Sequence, residues 1–272
     1  MKPTVSFSRL ISITYLIGLS LSQIYLAAPS LAQPAPLATP TVEADSRPLR
    51  FNLDALTHPE QMQRRGAPGS RAGAGTRGDC PAVAETTPEL TALVPLVTVN
   101  GADQTVALGT TTQMHPTISI YVPYAGSAAQ SIKFVLLDDT EMPLLPQPLE
   151  IVPTQLPGLV NIQLPETVRL EVGRYYRWYV LIDCQPIGAS DVFVTALIQR
   201  VTVDPVLARQ LADATPSDRI ALYAQYGIWH DALSEVQALD QAEPNSALSA
   251  DWASLLESVG LAALISVTQL SP

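Results

Sequence analysis

The chain has 272 residues, of which 47% are apolar, and a formal charge of −10 at neutral pH. The apolar share suffices for a packed core and the length allows one or two domains. Residues 1–79 carry eight Lys/Arg against five Asp/Glu, whereas 80–272 carry seven against twenty. That acidic bulk argues against nucleic acid as the partner of the folded part.

Residues 1–32 read as a signal peptide for export. Lys2 and Arg9 give a positive start, Leu10 to Ala28 is apolar, and Ser30-Leu31-Ala32 puts small residues where a signal peptidase cuts. The alternative is an anchor that is kept, because the apolar run is nearly long enough to span a bilayer. With cleavage, no membrane span is expected in the remainder. Residues 33–79 read as a disordered Pro- and Arg/Gly-rich leader, ending in the run from Arg64 to Gly78. Its arginines, Arg64, Arg65, Arg71 and Arg77, are candidates for contacts with the acidic domain that follows, or with an anionic envelope polymer. The run has no aromatic residue to stack on bases, which argues against nucleic acid.

Cys80 and Cys184 are the only cysteines. In an exported chain an even count predicts a disulfide, and two cysteines leave one intramolecular pairing. A metal site or a reactive thiol fits poorly, since no histidine is near either in sequence.

Residues 80–203 read as a β domain of about seven short strands. Leu90 to Val99 comes first, broken by Pro95, which marks an edge or a strand that switches sheets. Thr117 to Tyr124, Ser131 to Leu137, a weak Leu144 to Val152 and Leu159 to Leu164 follow. The central strand, Arg174 to Cys184, alternates an apolar face (Tyr176, Trp178, Val180, Ile182) with a mixed one. The mixed face offers Tyr175, Arg177 and Tyr179 as a candidate binding surface. Asp191 to Val203 closes the domain as its hairpin partner. No helical pattern interrupts the series, which predicts an antiparallel β-sandwich. Leu170, Gly173 and Tyr176 have the spacing of a tyrosine corner, whose hydroxyl bonds to backbone a few residues upstream. That corner places the domain among immunoglobulin-like and fibronectin-like sandwiches.

Residues 204–272 turn helical. Asp204-Pro205 and Thr215-Pro216 each read as an N-cap followed by Pro at the first helical position, and Asp218 completes a variant capping box. Helices are expected over 218–226, 229–242 and 246–258, with Gly260 as a C-cap. Gly227, Trp229, Ala232 and Pro244 resemble the fixed positions of a tetratricopeptide repeat. One and a half repeats are too few to stand alone, so these helices are expected to pack on the sandwich.

Several stretches together resemble one family known chiefly from cyanobacteria, the domain of unknown function 928 family. They include Arg65-Gly-Ala-Pro-Gly69, Thr76-Arg-Gly-Asp-Cys-Pro81, Tyr121-Val-Pro-Tyr124, Ile198-Gln-Arg-Val201, Gly227-Ile-Trp-His-Asp-Ala-Leu233 and Asp251-Trp-Ala-Ser-Leu-Leu-Glu. The resemblance implies an exported protein of cyanobacterial type and supplies no catalytic residue. Where relatives tend to be arginine-rich after the second cysteine, this chain has Gln185 to Asp191.

The chemistry visible in the sequence is sparse. His58, His115 and His230 form no His-x-x-x-His pair, and no Gly-x-Ser-x-Gly elbow occurs. Neither a catalytic residue, a metal nor a cofactor is expected. Asp138, Asp139 and Glu141 could form a carboxylate pair for glycoside hydrolysis or a Ca²⁺ site, but read better as a charged turn. Trp229, His230 and Asp231 could cap a pocket, but read better as a core tryptophan with polar neighbours at the surface. The expected function is that of an exported, non-catalytic envelope protein, a protein-protein binding or assembly module. Another envelope protein is the expected partner. The alternatives are a carbohydrate- or peptidoglycan-binding module acting on an envelope polysaccharide, and a hydrolase using acidic residues.

Overall fold

The structure is a computed structural model that describes residues 48–56, 68–73, 80–81, 83–99, 104–129, 131–153, 155–184, 192–242 and 246–268. The signal-like segment, His58, Arg64, Arg65, Arg77 and the Gln185 to Asp191 stretch lie outside the described residues. All described residues belong to one compact unit, 46–272. The protein is mainly β, with two sheets and four C-terminal helices.

Among the described residues, nine strands form the sheets. They are β1 (Thr91–Ala92), β2 (Leu96–Val99), β3 (Gln104–Thr111), β4 (Thr117–Val122), β5 (Ser131–Leu137), β6 (Leu149–Ile151), β7 (Gly158–Gln163), β8 (Tyr175–Asp183) and β9 (Val192–Arg200). One sheet has the order β1-β4-β7 and the other β2-β3-β9-β8-β5-β6. Pro95 stands where the chain passes from the first sheet to the second. It cannot donate to a ladder, so β1 ends before it and β2 starts after it in the other sheet.

Two expectations need correction. A strand was not expected over Gln104–Thr111, because Gly109 and four polar residues obscure its alternation. And the larger sheet is not wholly antiparallel, since β3 runs parallel to β9. The β2–β3 hairpin reverses the chain, so β3 joins the sheet in the direction of β9, and the intervening chain supplies the long crossover that a parallel pair needs.

β8 is the spine of the larger sheet. Tyr176, Trp178, Val180 and Ile182 face the core, opposite Leu136, Phe134 and Ile132 on β5 and Ile198, Ala196 and Val194 on β9. Ile118, Ile120, Val160 and Ile162 of the smaller sheet belong to the same buried cluster. Burying this many large apolar side chains, each contributing roughly 1.5–3 kcal/mol, is the main driving force for the β part. At the entry to β8, the Glu171 amide donates to the Tyr176 hydroxyl at 2.9 Å. This is the contact expected from the Leu170, Gly173, Tyr176 spacing.

The helices are α1 (Pro205–Asp213), α2 (Pro216–Gln225), α3 (Trp229–Ala242) and α4 (Ser246–Ser258). Asp204 caps α1, and Thr215 with Asp218 forms a reciprocal capping box on α2. Gly227 turns α2 into α3 at φ 68°, where a Cβ would also meet Ala55. The α3 helix packs on β3 and β4.

The expectation that residues 33–79 are disordered throughout is corrected at two stretches. Phe51 and Leu56 are buried, and the Phe51 ring meets Trp229 edge-on at 5.0 Å. The Asn52 amide donates to the Ala224 carbonyl at 3.0 Å. Residues 68–73 run beside β1 and β3. The Gly73 amide donates to Leu90, the Ala92 amide to Arg71 and the Ala107 amide to Pro68. Low apolar content obscures the second stretch in the sequence, whereas the first carries Leu49, Phe51, Leu53 and Leu56 amid Pro- and Gly-rich neighbours. Buried Phe51 and Leu56 hold the first, and a ladder of backbone bonds holds the second.

Candidate functional site

The four groups of predicted site residues lie in different places. Cys80 and Cys184 are joined in a disulfide with Cα atoms 5.0 Å apart. The bond closes a loop of 104 residues, for which the chain-entropy model gives about 4.7 kcal/mol of stabilisation at most. It ties the chain before β1 to the end of β8. Next to it, Asp183 accepts from Lys133 Nζ at 2.7 Å and from the Ser131 hydroxyl at 3.2 Å.

Tyr175, Arg177 and Tyr179 share the outer face of β8, as the strand alternation predicts. They are not equally accessible. Tyr175 is 7% exposed, whereas Arg177 and Tyr179 are half-buried. Arg177 reaches Glu141 at 3.6 Å and the Tyr179 hydroxyl at 3.4 Å. The cross-strand neighbours on this face are Val135 and Leu137 on β5 and Phe193, Thr195 and Leu197 on β9. Tyr179 and Phe193 pair with ring centres 6.0 Å apart and planes tilted by 54°. Val135, Leu137, Tyr179, Leu181 and Phe193 are all half-buried. The face is thus an apolar and aromatic strip edged by charge, away from β3 and β4 where α3 packs.

The acidic turn after β5 is fully engaged. Asp138 accepts from the Thr140 amide and hydroxyl and from the Met142 amide, at 2.7–3.0 Å. These bonds hold its carboxyl below the usual range. Asp139 pairs with Arg174 at 2.7 Å, and Arg174 also holds Glu171 at 2.9 Å. Each carboxylate has a structural use, as the reading of a charged turn requires.

Of the four candidate leader arginines, Arg71 is the one described. Its guanidinium donates to the carbonyls of Val94 at 3.2 Å, Val259 at 2.7 Å and Gly260 at 2.5 Å. Burial pulls its pKa down from the ordinary value. Arg71 therefore docks on the C-terminal end of α4, where exposed carbonyls and the helix dipole favour a cation, and not on carboxylates.

One cluster, which the sequence offers only as the less favoured pocket-capping reading of Trp229, His230 and Asp231, is present in the fold. Between the β3–β4 corner and the first turns of α3 lies a cleft of about 240 Å³ lined by Gln113, His115, Thr117, Tyr223, Asp231 and Glu235, with His230 at its base. Trp229 anchors the helix above it. It is fully buried, and its indole N–H donates to the Leu93 carbonyl at 2.6 Å. The Thr110 hydroxyl receives the Trp229 amide at 3.2 Å and donates to the Gly227 carbonyl. His230 is 1% exposed and lies directly over Gly109, so a Cβ at that glycine would collide with the imidazole. Burial lowers its pKa to about 4, opposed by the nearby Thr117 backbone. Among the described residues neither ring nitrogen has a well-formed hydrogen bond beyond that weak Thr117 contact, and the buried Nε2 of His115 has no partner. Asp231, 6% exposed, accepts from the Thr112 amide at 3.1 Å, the Thr112 hydroxyl at 2.7 Å and the Gln113 side chain at 3.2 Å. Arg219 forms an ion pair with Glu235. His230 and Asp231 are therefore interior, and the sequence reading that put them at the surface is corrected. The signal that could have found them is Gly109, a glycine in an otherwise good strand, which marks close approach of another group.

Among the described residues, no three His, Cys, Asp or Glu are grouped to hold a metal ion, and no helix is long and apolar enough to cross a membrane.

A mainly β protein with two sheets, a bridged β8 and four C-terminal helices is the class that these features define. The family model for Domain of Unknown Function (DUF928) matches residues 72–269. The chain belongs to that family. No curated protein and no solved structure matches it.

Proposed function

We propose that the chain is an exported, non-catalytic envelope protein that acts as a protein-protein binding or assembly module. In this reading the β part is an immunoglobulin-like sandwich. Neighbouring β5, β8 and β9 correspond to strands C, F and G, and β1, β4 and β7 to strands A, B and E. The α2–α3 pair is a tetratricopeptide-like hairpin docked on it. The family resemblance makes a cyanobacterial envelope the natural setting. The Cys80–Cys184 bridge supports export, because such bonds persist in oxidising compartments.

The observation that carries the binding reading is the outer face of β5, β8 and β9. It presents half-exposed Val135, Leu137, Tyr179, Leu181 and Phe193 as one strip rimmed by Arg177 and Lys133. An apolar centre with aromatic rings and a charged rim is the composition of protein interfaces. Binding of an envelope polysaccharide is the second reading, supported by the Tyr179–Phe193 ring pair.

The test is capture from envelope extract with the oxidised full chain and with Tyr179→Glu and Phe193→Asp. A retained protein that both substitutions release, with the fold intact, is expected. A retained protein indifferent to both would refute the assigned surface. Retention of polysaccharide in its place would favour the second reading.

A further inference from the structure

The cleft between the β3–β4 corner and α3 carries a charge with no counter-ion. Glu235 is neutralised by Arg219. Asp231 is not. Its three donors are the Thr112 amide, the Thr112 hydroxyl and the Gln113 carboxamide, all neutral, and it has no cationic partner among the described residues. A carboxylate 6% exposed strongly favours the approach of a positive group.

The rest of the wall points the same way. His115 has a buried Nε2 with no partner, and a neutral imidazole keeps one nitrogen as an acceptor. His230 at the base is nearly fully buried, with the Thr117 backbone as a weak polar contact and no well-formed hydrogen bond among the described residues. Tyr223 contributes a ring, and its hydroxyl is pushed up by burial and then by the charges of Asp231 and Glu235. The lining therefore offers acceptors, a negative potential and an aromatic group. A volume of about 240 Å³ suits a single small group.

We propose that this cleft binds a small organic cation bearing N–H donors, a primary ammonium or a guanidinium group, held against Asp231 with His115 Nε2 as a second acceptor. The cation supplies the charge that Asp231 lacks, and its N–H groups satisfy nitrogens that are otherwise unpaired. A charge-assisted bond of this kind is roughly twice as strong as a neutral one, and an aromatic neighbour adds to it. The group comes either from a free amine or from a lysine or arginine side chain of a polypeptide. The proposal uses residues remote from the outer sheet face, and it stands whether or not that face binds a partner.

The test titrates the oxidised full chain with agmatine, n-butylamine, tetramethylammonium and acetate, reading the His115 and His230 imidazole resonances. Agmatine and n-butylamine are expected to shift both. Their binding should weaken about tenfold or more in Asp231→Asn, which loses the charge and keeps an oxygen for Thr112. His115→Leu should weaken it severalfold. His115 Nε2 has no hydrogen-bond partner among the described residues, so this variant carries the test if Asp231→Asn fails to fold. An N-acetylated Gly-Arg-Gly amide distinguishes the sources. Binding as tight as agmatine's indicates a polypeptide side chain, and exclusion of the peptide indicates a free amine. Tetramethylammonium binding as tightly as n-butylamine, acetate binding, or no shift with any probe overturns the proposal.

Discussion

His230 is held neutral by burial over Gly109, and this makes the protein sensitive to acid. Its pKa in the folded chain is about 4, below its unperturbed 6.5. The unfolded chain therefore takes up the proton first. Stability falls as pH drops from about 6.5 to about 4, and is no longer affected by this group below that window. At pH 4.5 the loss from this one group is about 2.5 kcal/mol relative to pH 7. Urea unfolding at the two pH values should show it in the native protein, and His230→Leu should remove most of the difference. An unchanged acid slope in the variant would mean that the imidazole is not buried as described. The same pair shows why the cleft was hard to read from sequence. Polar residues at a helix start usually face water. Here the helix lies on a glycine in β3, which buries His230, and the Thr112–Gln113 corner closes over Asp231. Trp229 was legible as a core anchor because an aromatic beside a helix start has few other uses.

The elements were legible in proportion to their local signals. Caps fixed the starts of α1 and α2, and apolar spacing fixed α3 and α4. Pro95 announced the passage between sheets. The strand β3 was obscured because its pattern is set by α3, a distant partner, and Gly109 makes sense only once His230 is in place. Arg71 shows the same effect in the leader. It sits in a segment of low apolar content and holds α4 to the β1–β2 junction through three carbonyls. Arg71→Ala should lower stability by roughly 1–3 kcal/mol, since it leaves the part-buried carbonyls of Val94 and Val259 without their donor. Arg71→Lys should recover little, because a point ammonium cannot match the planar fork. Hydrogen exchange in the last turn of α4 is the direct readout. Exchange there as slow in Arg71→Ala as in the native chain would remove Arg71 from this role.

At the level of the whole molecule, sheets and helices share one buried cluster. Phe51, Trp178, Trp229 and Trp252 all belong to it. Three contacts fasten the parts across the chain: Phe51 on Trp229, the Trp229 indole on Leu93 and the Arg71 clamp on α4. The proposed outer-face surface and the α3 cleft thus sit on a single body, and a partner gripping one is held in fixed relation to the other. Local sequence could not show this, because each fastening joins residues more than 100 positions apart. Limited proteolysis of the oxidised chain, read by mass spectrometry under native conditions, tests the account most directly. The predicted product is one associated core that keeps Phe51, Trp178 and Trp252 together. Cleavage near residue 205 into two separately stable pieces would contradict it.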